Sequence, residues 1–166
     1  AIADEIKGTV YTDLPGRFPA RSYKGNQYIF LTYVYDTNAI IVRPMKSRAK
    51  EDILEVFKDV YKYLKKKKIA PKLHIMDNEC SKLVETFLRQ QKTDIQFVKP
   101  HQHCVNAAKQ GIQTFKEHFI AGLCTVNKNF PMQLWCDLLK QVQLTINLLR
   151  QAQVNNKLSA YAIFEG

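Results

Sequence analysis

The chain has 166 residues, 46% of them hydrophobic, which is enough for one ordinary domain with a real core and excludes a disordered chain. Twenty-five Lys and Arg outweigh fifteen Asp and Glu, a formal net charge of +10 that favours a polyanionic partner, nucleic acid ahead of an anionic membrane surface. No run of about 18 apolar residues exists, so no membrane-spanning segment is expected, and no segment reads as a basic amphipathic helix with an exposed Trp/Phe face.

In chain order, Ala1 to Gly8 is short, mixed and charged, unlike a signal peptide. Lys7 to Asp13 reads as a β-strand ending at the turn Leu14-Pro15-Gly16-Arg17. After the turn signal Lys24-Gly25-Asn26, the aromatic and β-branched run Tyr28 to Tyr35 predicts a central strand, and Ala39 to Arg43 a third. Links this short imply an antiparallel meander. Ile53, Val56, Phe57, Val60, Tyr61 and Leu64 then recur at helical spacing, with Ser47 the expected cap and Lys65 to Lys68 a solvated helix end. Lys72 to Met76 predicts a strand running directly into Asp77. A helix over about Ser81 to Gln91, a strand over Ile95 to Val98, and a helix carrying Val105, Ala108, Ile112, Phe115 and Phe119 follow. The last predicted helix starts at Pro131 and runs to about Gln151.

Three antiparallel strands followed by helix-separated strands give an α/β chain with a five-stranded mixed sheet flanked by helices. This is the element order of a ribonuclease-H-like fold. The expectation is a single domain over residues 1–166. Without an initiator Met or a closing element after Phe164, it reads as a piece of a longer polypeptide. The four cysteines show no paired spacing and read as reduced intracellular thiols.

Asp13 and Asp77 each end a predicted strand. Ligand sites in α/β sheets gather beyond the carboxyl ends of strands, so neighbouring first and fourth strands would bring the two carboxylates together. Two hard oxygen ligands suit Mg²⁺ or Mn²⁺, and paired ions of this kind serve phosphoryl transfer. His101-Gln102-His103-Cys104 offers three close ligand candidates in a predicted loop, short of a closed zinc site. Arg17, Arg21, Lys24, Arg43, Lys46 and Arg48 are candidate phosphate contacts, with no base-reading motif among them.

Four ordered segments carry a family resemblance. Tyr11-Thr12-Asp13-Leu14-Pro15-Gly16-Arg17-Phe18-Pro19 resembles the first-Asp segment of the integrase catalytic cores of copia-like LTR retrotransposons, within the retroviral-type integrase superfamily. Met76-Asp77-Asn78-Glu79 resembles their second-Asp segment. Lys99-Pro100-His101 with Val105-Asn106-Ala107-Ala108 resembles the approach to the helix bearing their Glu, and Leu158-Ser159-Ala160-Tyr161 their tail. The resemblance implies a metal-dependent polynucleotidyl transferase that binds retroelement ends and target double-stranded DNA. It further implies 3′-end processing and strand transfer, a homodimer or higher oligomer, and a nuclear location with a cytoplasmic assembly phase. Catalytic positions would be Asp13, Asp77 and the family Glu, with Asp13 and Asp77 as metal ligands.

An ungapped alignment puts Lys109 at that Glu, in Asn106-Ala107-Ala108-Lys109-Gln110-Gly111. Gly111 weakens the helix by about 1 kcal/mol relative to Ala. Glu117 lies about 12 Å further along the helix axis and about 80° round it, too far to substitute. An ammonium about 4 Å from a carboxylate gains up to about 4 kcal/mol at an effective dielectric near 20. Lys109 is therefore expected to pair with Asp13 or Asp77 and to weaken or abolish metal binding. Lys109, Gln113 and Lys116 share one helical face; with Arg17 and Lys46, Gln113 and Lys116 are the expected DNA contacts. Trp135 and Leu138, with the other apolar residues of the last helix, read as core, with part of a dimer interface as the sharper alternative. A catalytically degenerate nucleic-acid-binding or assembly module is the competing reading. A ribonuclease H-type hydrolase ranks lower, because Glu165 is the only acid after Asp137.

Overall fold

The computed structural model describes residues 8–14, 16–76, 80–98, 103–125, 128–150 and 157–165. Its strands are β1 (Thr9–Asp13), β2 (Tyr28–Val34), β3 (Ala39–Met45), β4 (Leu73–Met76) and β5 (Asp94–Phe97). Its helices are α1 (Lys50–Lys66), α2 (Lys82–Gln90), α3 (His103–Thr125), α4 (Trp135–Leu149) and α5 (Ala160–Glu165), with a short 3₁₀ turn over Met132–Leu134. The strands form one mixed sheet in the order β3-β2-β1-β4-β5. The first three are antiparallel; β4 and β5 join parallel, with Val10 opposite His74 and Thr12 opposite Met76. The expected five-stranded mixed sheet is therefore what forms, and strands one and four are adjacent in it.

Strand side chains alternate between faces, and the alternation sorts the core. Tyr11, Leu31, Tyr33 and Ile75 pack against α3 and α4 through Ile112, Phe115, Trp135 and Ile146. Val10, Phe30, Ile41 and Met76 pack against α1 and α2 through Phe57, Leu64, Val84 and Leu88. Two adjacent residues of β1 thus serve opposite faces: Thr12 looks toward α1 and Asp13 toward α3.

Helix ends differ from expectation in two places. Ala49, not Ser47, is the N-cap of α1; the Ser47 hydroxyl accepts from the Ala49 amide at 3.1 Å and donates to Asp52. Pro131 begins the 3₁₀ turn rather than α4, which starts at Trp135. A further short helix, α5, follows where only a motif-bearing tail was expected. At the C-terminus of α1, Lys68 adopts φ 61° while the Ile69 amide reaches the Leu64 carbonyl at 2.9 Å, closing the last turn among exposed lysines.

The face behind Thr12 holds a buried polar chain. His74 is 1% exposed and lies between the rings of Phe57 and Tyr61. Its Nε2 is 2.6 Å from the Thr12 hydroxyl and its Nδ1 is 2.8 Å from the Tyr61 hydroxyl. A neutral imidazole offers one donor and one acceptor, so one hydroxyl donates and the other accepts. Burial holds the imidazole neutral and pushes its pKa down to about 3. The same burial raises the Tyr61 phenol, partly offset by a hydrogen bond with Thr93.

The opposite face contains one close backbone approach. Gly111 of α3 sits over Tyr33 of β2, where a Cβ would lie 3.3 Å from the ring and 3.1 Å from the Arg150 guanidinium. Tyr33 has no room to retreat: it is fully buried, set edge-on to Tyr35, and donates its hydroxyl to Asn38 at 2.5 Å. Arg150 grips the same turn through the Asn38 carbonyl and side-chain oxygen. Gly111, read from the sequence as a weakness in the helix, is the residue that lets α3 lie against the sheet.

Two outcomes follow from these contacts. The unfolded chain protonates His74 below about pH 6.5 while the folded chain holds it neutral to about pH 3. Stability is therefore full above pH 6.5 and falls as pH drops through that window, by up to about 1.4 kcal/mol per unit from this group. Urea unfolding at pH 4 to 7 should show that contribution vanish in His74→Gln; equal slopes would mean that His74 is charged in the fold. Separately, Gly122→Ala, with nothing within 4 Å of the new Cβ, should gain about 1 kcal/mol of helix propensity. Gly111→Ala should show no gain and lose about 1 kcal/mol or more instead. Equal gains at both glycines would refute the close approach.

Candidate functional site

Asp13 closes β1 at the carboxyl edge of the sheet, beside β4. Its carboxylate is 3.7 Å from the ammonium of Lys116 on α3, with about a fifth of the aspartate side chain exposed. The ion pair expected from Lys109 is thus made by Lys116, two turns further along the helix. The physical reason is axial position. Gly111 is held over Tyr33, which lies opposite Tyr11, two residues short of Asp13. Five helical residues rise about 7.5 Å and two strand residues about 6.6 Å. The position level with the end of β1 is therefore 116. Lys109 is exposed nearer the start of α3.

Asp77 lies outside the described residues, as do Asn78, Glu79 and the His101-Gln102 half of the possible zinc cluster. Any pairing of Lys109 with Asp77 falls there too. Gln113 is exposed and donates to Glu117 at 3.1 Å, which occupies the one nearby acid of α3 with a neighbour on its own helix. Arg17 and Lys116 meet at one cleft of about 460 Å³, whose apolar floor includes Phe18, Phe115 and Phe119. Lys46 is exposed directly after β3, two strands away from Asp13. Trp135 is fully buried: its ring packs 4.5 Å from that of Phe18 and its indole N–H donates to the Ala20 carbonyl at 2.7 Å. It belongs to the core rather than to an intermolecular surface. Leu138 is partly buried against the same core. The exposed apolar residues of α4 are Leu144, Leu148 and Leu149.

A second cavity, of about 230 Å³, opens on the other flank of Asp13. Thr12, Arg48, Lys50, Cys80 and Ser81 line it, and Arg48 reaches the Leu14 carbonyl at 3.3 Å. Burial raises the Cys80 thiol pKa, so it stays protonated and unreactive there. Sequence reasoning missed Lys50 and Ser81 as site-lining residues, and His74 as the buried support under Thr12. The only sequence trace of His74 is one polar residue in an apolar four-residue strand.

The arrangement is one carboxylate paired with Lys116, sharing a cavity with Arg48 and Lys50, while Arg17 lines the neighbouring cleft beside Lys116. Such a site draws phosphate groups to the end of β1. It does not by itself complete a divalent-metal site: among the described residues no three His, Cys, Asp or Glu side chains stand together, and the Asp13 carboxylate already faces an ammonium.

No protein-family model matches the chain, and no curated protein sequence does. Solved structures do match. The catalytic core domain of BIV integrase superposes with a TM-score of 0.69 at 8% identity, covering 96% of this chain and 94% of that one. The HTLV-2 integrase catalytic core domain, in a trimeric form in complex with magnesium, gives 0.67 at 13%, covering 94% and 95%. A chain of the simian T-cell lymphotropic virus intasome, in complex with PP2A regulatory subunit B56 gamma, gives 0.70 at 13%, covering 95% of this chain and 54% of that chain. At these identities the likeness is one of architecture, and it extends over nearly the whole chain: the ribonuclease-H-like fold of integrase catalytic cores.

Proposed function

We propose that this chain is the integrase-type core domain of a copia-like retroelement, part of a longer polyprotein, that binds the ends of double-stranded DNA. The observation that carries the reading is Asp13 at the carboxyl edge of the β1–β4 pair, paired with Lys116 and sharing a cavity with Arg48 and Lys50, in the fold of integrase cores. One of the similar structures is a complex with magnesium and another is an intasome, in keeping with a divalent ion and an oligomer on DNA. Mg²⁺ or Mn²⁺ at Asp13 and Asp77 is part of the proposal. So are end processing and strand transfer, work as a homodimer or larger assembly, and residence in the nucleus after cytoplasmic assembly.

The Lys116 ammonium on Asp13 adds positive charge where an ion would need negative ligands. A cation about 4 Å from the carboxylate competes directly with a divalent ion for it. Strand transfer by the unaltered chain should therefore be weak. In Mn²⁺, Lys116→Glu, which replaces the ammonium beside Asp13 by a carboxylate, should raise joining of a bound, labelled DNA end to a target duplex by tenfold or more. Full joining by the unaltered chain would refute the weakened chemistry. Absence of duplex binding would refute the function. End binding without joining in both proteins would leave a degenerate binding module as the better reading.

A further inference from the structure

The amino edge of the parallel strands, opposite the edge that carries Asp13, is built from two helix ends of the same form. α1 ends with the Lys68 amide on the Lys65 carbonyl at 3.0 Å and the Ile69 amide on the Leu64 carbonyl at 2.9 Å. α2 ends the same way, with the Lys92 amide on the Arg89 carbonyl and the Thr93 amide on the Leu88 carbonyl, both at 3.0 Å. Each end turns on a residue in the left-handed region, Lys68 at φ 61° and Lys92 at φ 58°. Glycine is the residue such a turn favours, because a Cβ is strained there. Among the described residues the one other non-glycine at positive φ is Asn38, a type that tolerates it well. At two corresponding helix ends this chain keeps lysine instead.

The helix ends themselves do not explain the choice. The helix dipole is already answered in the last turn, by Lys65 and Lys66 on α1 and by Arg89 on α2. The two left-handed lysines also converge. The segments that follow them are joined by the Thr93 hydroxyl on the Pro71 carbonyl at 2.9 Å and by the Asp94 amide on the Lys72 carbonyl at 2.8 Å. Leu73 pairs with Asp94 in the sheet, so Lys72 stands beside Thr93 across one strand spacing of about 4.8 Å. Lys68, Lys72 and Lys92 are exposed and make no ion pair among the described residues. Of the acids at this edge, Asp36 is held by the Gly8 amide at 3.1 and 3.2 Å, which leaves Asp94.

What suits three lysine tips of this kind is a chain of phosphates. No large apolar side chain is exposed between residues 65 and 72 or between 89 and 94, so nothing here would enter a bilayer. An acidic peptide pairing along β5 would meet Asp94 and Glu85, which line the cleft beside that strand. We infer that Lys68, Lys72 and Lys92 form a phosphate track on the amino edge of the sheet, which holds the sugar–phosphate backbone of a nucleic acid and for which two strained helix ends are kept. It rests on the proposal that the chain binds DNA. It adds a contact remote from the Asp13 clefts, since the five strand residues from Gly8 to Asp13 span about 16 Å.

The test is anisotropy binding of a long blunt duplex and of an RNA hairpin over a range of salt, with thermal unfolding of each protein. It compares the unaltered chain, Lys68→Gly/Lys92→Gly, Lys72→Gln, and Arg17→Gln/Lys116→Gln. Each phosphate neutralised by a lysine adds about 0.9 to the magnitude of the slope of log K against log salt on duplex DNA. The double glycine variant should therefore lose about two from the slope and bind tenfold or more weakly at moderate salt, while its thermal midpoint rises by about 4 °C. Lys72→Gln should lose about one from the slope. The nucleic acid whose binding falls further is the occupant. An unchanged slope on both overturns the inference, and if Arg17→Gln/Lys116→Gln still weakens duplex binding, DNA binding at the Asp13 clefts stands without the track. A lowered midpoint in the double glycine variant would mean that the lysines serve their own helix ends, and overturns it too. No binding by the unaltered chain overturns both readings. Loss of polyglutamate binding with nucleic-acid binding intact would assign the lysines to an acidic protein partner instead.

Discussion

One close approach sets how near α3 lies to the sheet, the backbone of Gly111 on the ring of Tyr33, within a helix face that also packs through Ala108, Ile112, Phe115 and Phe119. A side chain at 111 would push the helix off a ring that is buried, edge-packed on Tyr35 and tied to Asn38. With that contact made, the axial rise of the helix decides which residue stands level with the end of β1, and it is Lys116. Arg150 strengthens the arrangement from the other side. Its guanidinium lies near Tyr33, at 5.8 Å from the ring centre, and binds the β2–β3 turn through Asn38. The C-terminal end of α4, the turn and α3 are thereby held to one another.

Asp13 is placed by what lies behind it as much as by what faces it. Strand alternation sends Thr12 into the α1 layer, where His74 and Tyr61 complete a buried hydrogen-bonded chain, and so sends Asp13 toward α3. A buried polar chain with every partner in place favours one strand arrangement, because any slip would strand His74 without partners. The carboxylate that emerges pairs with Lys116 from the middle of α3 and shares its cavity with Arg48 from the stretch after β3 and Lys50 from the start of α1.

Much of the architecture was legible because each element announces itself by period. The β-branched run of β2 and the helical spacing of Phe57, Val60, Tyr61 and Leu64 required no tertiary information. The adjacency of strands one and four stood only as the condition for bringing the two aspartates together, and the parallel β1–β4 pairing meets it. What periodicity does not carry is axial position. Lys109, Gln113 and Lys116 were correctly put on one face, but a face repeats every seven residues, and only the Gly111–Tyr33 contact selects 116 over 109. Gly111 misled for the same reason: helix propensity counts its cost in an isolated helix and ignores what packs on it. Trp135 was legible as core from its apolar stripe, but the stripe did not say what covers it, here Phe18 and Ala20. The catalytic reading at Asp77 was drawn from motif resemblance, and that residue lies outside the described residues.

Everything built around Asp13 turns on Lys116, not Lys109, being its partner. A zero-length carbodiimide joins a carboxylate to an amine only when they touch, so it reads this pair directly. Peptide mass spectrometry after brief treatment at low salt should find an amide between Asp13 and Lys116, lost in Lys116→Gln. A bond from Asp13 to Lys109 instead would contradict the register of α3 and the arrangement of the site that depends on it.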